Sequence, residues 1–87
     1  MTHISKIKVY GEDSLLLAEG IAAQFRDVGA VLAYMPETQT LELASALPRD
    51  QVVNKVEGFL QAESYDARVR PTDDADRIAV KPAVRAL

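Results

Sequence analysis

Cysteine is absent from this chain. That removes disulfides, thiolate metal sites, iron–sulfur clusters and a cysteine nucleophile together. Histidine occurs once, as His3 near the N-terminus, so a serine nucleophile with a histidine base has few possible members. A terminal segment is also badly placed to hold such a base rigid. Tryptophan is missing and aromatics make up only 6% of residues. Sheets that read RNA stack bases on exposed aromatics of their central strands, and here only Tyr10, at a strand end, is available. No glycine-rich phosphate loop is present. No apolar run approaches the ~18 residues that span a bilayer, and no charged-then-apolar leader opens the chain. The compartment expected by default is the cytoplasm.

What is present describes one small α+β domain. Of 87 residues, 48% are hydrophobic and 26% charged, the balance of an ordinary globular chain. The net charge of −3 does not favour nucleic acid, which asks for a basic surface. Residues 4–10, ISKIKVY, alternate apolar Ile7 and Val9 with basic Lys6 and Lys8, as a half-buried strand does. Gly11 punctuates. Asp13 or Ser14 then starts a helix, with Glu12 and Asp13 suited to its positive end. The helix is expected to reach about Val28, where Gly29 stops it. A second strand over residues 30–35, a Pro36 turn and a third strand over residues 40–47 follow. Leu41, Leu43 and Ser45 share one side of that third strand. Pro48 suits a helix start, and Val52, Val53, Val56, Phe59 and Leu60 fall on one helical face. Residues 65–70 form a fourth strand, which Pro71 ends.

The order β-α-β-β-α-β predicts a ferredoxin-like sandwich, a four-stranded antiparallel sheet in the order 4-1-3-2 with both helices on one face. The domain is expected over residues 1–71. Residues 72–87 form a C-terminal extension in which residues 77–81 could add a short strand and the last residues fray. Asp73, Asp74 and Asp76 lack the spacing of a calcium loop and read as a solvated segment or a helix cap. No carboxylate pair across an apolar pocket is legible. The chain is therefore expected to be neither an enzyme nor a holder of metal or cofactor.

Two surfaces are candidates for binding. At roughly 100° per residue, Leu17, Ile21, Phe25 and Val28 cluster toward the sheet with Ala18 beside them, while Leu15 lies at the margin. Leu16 points away, in line with Gly20 and Ala23. A glycine inside a helix costs about 1 kcal/mol relative to alanine, so Leu16, Gly20 and Ala23 could form a low apolar patch for another chain, beside the turn of Glu12, Asp13 and Ser14. A single exposed leucine is also ordinary. The second surface is the sheet face left open by the helices. Strand parity puts Lys6 and Lys8 there, with Arg68 and Arg70 on the neighbouring fourth strand, an arrangement able to receive an anion. Glu42 and Asp66 dilute it, and cross-strand charge pairing would account for it without a ligand.

With these elements in place, the chain resembles the heavy-metal-associated domain, the fold of small copper chaperones and of the N-terminal modules of metal-pumping ATPases. The likeness spans residues 4–70. It rests on the element spacing, on Gly11, on ETQTLEL (residues 37–43), and on SYDARV (residues 64–69), which is similar to the family's closing Gly-Tyr-x-Ala-x-Val. The family's Gly-Met-x-Cys-x-x-Cys loop is erased. Its methionine falls on Glu12 and its cysteines on Ser14 and Leu17, which cannot replace soft sulfur ligands. The resemblance implies a scaffold and a docking region at Glu12, Asp13, Ser14 and Leu16, and no metal. It points to a non-catalytic adaptor that binds another protein or domain, and not nucleic acid or membrane. A rival likeness, carried by residues 10–32, is to the ACT regulatory domain. It implies a dimer that binds a small molecule at the interface. Monomer and homodimer both remain open.

Overall fold

In the computed structural model, which describes residues 2–72 and 77–82, two helices pack on a five-stranded mixed sheet. The elements are β1 His3–Val9, α1 Ser14–Ala23, β2 Gly29–Met35, β3 Thr40–Ser45, α2 Arg49–Ala62, β4 Ala67–Pro71 and β5 Arg77–Pro82. The protein is thus α+β. Its sheet order is β2-β3-β1-β5-β4, which corrects both the expected strand count and the expected neighbour of the first strand.

The difference lies in β5. Residues 77–82 take the slot beside β1 that the fourth strand was expected to fill, and they run parallel to β1. β4 pairs antiparallel with β5 and so moves outward to the edge. The cause is local: β4 and β5 are joined by the short 72–76 connection, which suits an antiparallel hairpin. β5 also supplies the better core strand, since Ile78 and Val80 are buried at 1% and 0% exposure. The sheet therefore runs past the expected division at residue 71. Both crossovers remain consistent with helices on a single face. β1 and β3 are antiparallel, and their connections leave in opposite directions across the sheet.

The core lies between that face and the helices. Alternation places Ile7 and Val9 of β1, Leu41 and Leu43 of β3, and Val69 of β4 in it. Leu17, Ala18, Ile21 and Phe25 meet them from above, with Val52, Val56 and Leu60 of α2. Val28 does not join. α1 ends five residues before the expected stop, in a turn closed by Gln24 N–H to the Ile21 carbonyl and Phe25 N–H to the Ala22 carbonyl. These i→i−3 bonds tighten the chain. They keep Phe25 buried and leave Val28 exposed. The Lys55 ammonium donates to the Gln24 carbonyl and lies 5.9 Å from the Phe25 ring, so α2 holds this turn. At the start of α2, Arg49 donates to the Thr72 carbonyl beyond β4. No helix among the described residues is long and apolar enough to cross a membrane. Asp73, Asp74 and Asp76, and the last residues expected to fray, lie outside the described residues.

If β5 is a central strand, trimming it must cost as much as trimming the helices. Ile78→Ala is expected to lower stability by ~2–5 kcal/mol, as for any buried isoleucine. Urea unfolding checks this, and a loss within about 0.5 kcal/mol would be that of a surface position.

Candidate functional site

The turn after β1 is knitted inward. Gly11 has φ 104°, a left-handed conformation that glycine adopts without a Cβ penalty. Gln39, at the end of the β2–β3 turn, reaches across. Its Nε2 donates to the Gly11 carbonyl at 3.2 Å and to Ser14 Oγ at 2.9 Å. Ser14 Oγ also lies 3.4 Å from the Tyr34 hydroxyl. Ser14 is therefore buried and latches α1 to the hairpin, where it was expected to form part of a docking turn. Asp13 occupies the N-cap without a side-chain capping bond.

Gly20 is not open either. A Cβ there would overlap the tip of the Phe59 ring from α2. That ring also rests on Tyr65, with centroids 5.8 Å apart. The absence of a side chain at Gly20 thus serves helix–helix contact within the domain. Ala23 is half-buried. Of the six residues expected to form the patch, Glu12, Asp13 and Leu16 are exposed, Leu16 at 58%. Leu15 is exposed too, at 56%, so it belongs to the surface and not to the core margin.

The open face of the sheet holds a denser constellation. Residues paired across strands share a face, so the register defines three rows. Glu42, Lys6 and Arg77 form the first. Thr40, Lys8, Ala79 and Arg70 form the second. Lys81 and Arg68 form the third, with Tyr10 next to them at the end of β1. Tyr10 N–H donates to the Val80 carbonyl, which ties its backbone to β5. The Lys8 and Lys81 ammonium groups stand 5.0 Å and 5.3 Å from the Tyr10 ring centroid, within cation–π range.

Lys6 and Lys8 are thus not adjacent to Arg68 and Arg70. β5 separates them and fills the gap with Arg77 and Lys81. Six of the chain's ten lysines and arginines stand on this face. Arg77 and Lys81 were missed as site residues because their strand was expected at the margin; the alternation of RIAVK was the available signal. Two cross-strand pairs here are of like charge. In the strand register Lys6 faces Arg77 and Lys81 faces Arg68, and Lys6 also faces Glu42. At the centre, Ala79 has no bulk of its own yet is 5% exposed, as expected where long cationic stems lie over a small residue. Beside β4, a groove of about 440 Å³ runs between the free strand edge and α2, lined by Glu57, Leu60, Tyr65, Arg68 and Arg70 among others. Among the described residues, no group of three His, Asp or Glu side chains could hold a metal ion.

The Gly20–Phe59 contact can be separated from helix propensity. Gly20→Ala is expected to destabilise the protein by ~1–3 kcal/mol through overpacking, although alanine is favoured in a helix by about 1 kcal/mol. In a Phe59→Ala background the same change is expected to stabilise. A double-mutant cycle in urea measures the coupling. Leu16→Asp, by contrast, is expected to leave the melting temperature within the small range of surface substitutions, checked by thermal circular dichroism.

No family model, curated protein or solved structure matches this chain.

Proposed function

We propose that this protein is a non-catalytic interaction domain whose open sheet face binds an acidic segment of another protein. One observation carries the reading: Lys6 and Lys8 of β1, Arg77 and Lys81 of β5 and Arg68 and Arg70 of β4 share the open face. Like charges placed directly opposite destabilise a sheet. Ordinary solvation of a face would interleave signs, as Lys6 and Glu42 do. A polyanionic partner removes the repulsion and gains from it, so the arrangement costs the free domain and favours the complex.

A protein partner fits better than RNA. Tyr10 is the one aromatic side chain of the described face, it stands at a strand end, and it is flanked by Lys8 and Lys81. RNA-reading sheets need stacking positions on central strands. The ferredoxin-like reading of the scaffold is supported by connectivity: with β5 set aside, the remaining order is 4-1-3-2. The likeness to heavy-metal-associated domains supports an adaptor role. Internal engagement of Ser14 at the turn after β1 and of Gly20 within α1 favours a docking region on the sheet instead.

Binding of poly-L-glutamate, followed by fluorescence anisotropy or calorimetry, is expected to weaken steeply with salt, as exposed charges are screened over ~10 Å at 0.1 M. The double variant Lys8→Glu/Arg68→Glu is expected to lose affinity by at least about tenfold, roughly 1.4 kcal/mol, with an unchanged circular dichroism spectrum. Tighter binding of a mixed-sequence single-stranded RNA than of poly-L-glutamate would overturn the choice of partner. Absence of binding to either would overturn the site.

A further inference from the structure

The backbone of β4 and the groove beside it fit one shape of ligand. Thr72 N–H, just past the strand, donates to the Arg77 carbonyl, so Thr72 turns its backbone toward β5. In an antiparallel ladder every second residue does the same. The register carries that pattern to the Arg70–Ala79 and Arg68–Lys81 pairs. The backbone groups of Val69 and Ala67 therefore point out of the sheet, and among the described residues no strand lies beyond them. Side chains alternate between the two faces. Val69 is buried and Ala67 half-buried, while Arg68 and Arg70 are exposed. The groove of about 440 Å³ extends from this edge to α2, where Glu57, Leu60 and Gln61 line it. Tyr65 lines it too. Its N–H donates to the Leu60 carbonyl and its ring rests against Phe59, so α2 holds that part of the wall in place.

We propose that the groove takes an extended segment of the partner protein, which adds to β4 as a sixth strand, its acidic side chains on the open face alternating with aliphatic ones toward α2. The inference rests on the reading of the open face as a site for an acidic segment, and it fixes how that segment lies. Strand addition draws affinity from main-chain bonds and specificity from alternate side chains. Ala67 and Val69 offer the bonds. Arg68 and Arg70 stand across from every second residue of the added strand, about 5 Å away between Cβ atoms, and attract a carboxylate there. The residues between them point toward α2. Leu60 and Val69 favour an aliphatic side chain on that side, and Glu57 repels a second carboxylate. The two walls thus demand alternation and not merely negative charge. Charge also excludes a second copy of this chain, since β4 against β4 would set arginine against arginine. Pro71 shares the outward parity of Val69 but has no N–H, so it marks the end of the pairing and not its middle.

Calorimetry of the full chain with an end-blocked octapeptide of alternating valine and glutamate is the test. The control is the same peptide methylated at every backbone nitrogen, which keeps charge and order but removes the main-chain donors. It is expected to bind at least about tenfold more weakly, the effect of losing main-chain hydrogen bonds. Hydrogen exchange on the wild-type chain gives a second readout that needs no variant. The amides of Ala67 and Val69 are expected to exchange more slowly with the octapeptide present, and those of Val31 and Ala33 on the opposite edge are not. Equal affinity for the two peptides would overturn strand addition, as would protection at Val31 and Ala33 in place of Ala67 and Val69. Binding of poly-L-glutamate without binding of the octapeptide would overturn strand addition alone and leave the cationic face standing. Failure of both would overturn the face as well.

Discussion

The pairing of β1 with β5 holds the rest of the molecule together. These strands form the middle of the sheet, and β4 reaches it only through β5. Ile7 and Val9 on one strand and Ile78 and Val80 on the other supply apolar side chains to the core face. On the opposite face the same two strands carry Lys6, Lys8, Arg77 and Lys81. A slip of one residue would exchange the faces, putting lysine in the core and isoleucine in water. Core and site are therefore specified by a single register.

Much of the scaffold was legible because it rests on short-range periodicity. The alternation in residues 4–10 and 40–45 identifies β1 and β3 and names their buried sides, and the helical spacing of Leu17, Ile21 and Phe25 names the inner face of α1. What was not legible is set by distant parts of the chain. RIAVK alternates as any half-buried strand does, and nothing within it says whether its neighbour is β1 or the solvent. Gly20 carries no mark of the Phe59 ring that occupies the space above it. Ser14 turned inward because Gln39, twenty-five residues later, supplies a donor at 2.9 Å. The cationic face was read in outline from Lys6, Lys8, Arg68 and Arg70, but its density was not, since that depends on which strand lies between them.

The sheet is also electrostatically lopsided. Its β1, β5 and β4 portion concentrates positive charge on the open face, while the β2 and β3 portion presents Ala30, Ala33, Ala44 and Glu42 there. The chain is acidic overall, so the asymmetry is one of placement and not of composition.

The central place of β5 bears on how the molecule comes into being. Within this domain β1 is synthesised well before β5, one of its two neighbours. Until then β1 has an open side, and the hairpin that carries β4 has nothing to lean on. Contacts between such remote segments make for slow closure, and an exposed strand invites wrong partners meanwhile. Lys6 and Lys8 on the waiting strand are residues of the kind that discourage pairing with another copy of itself.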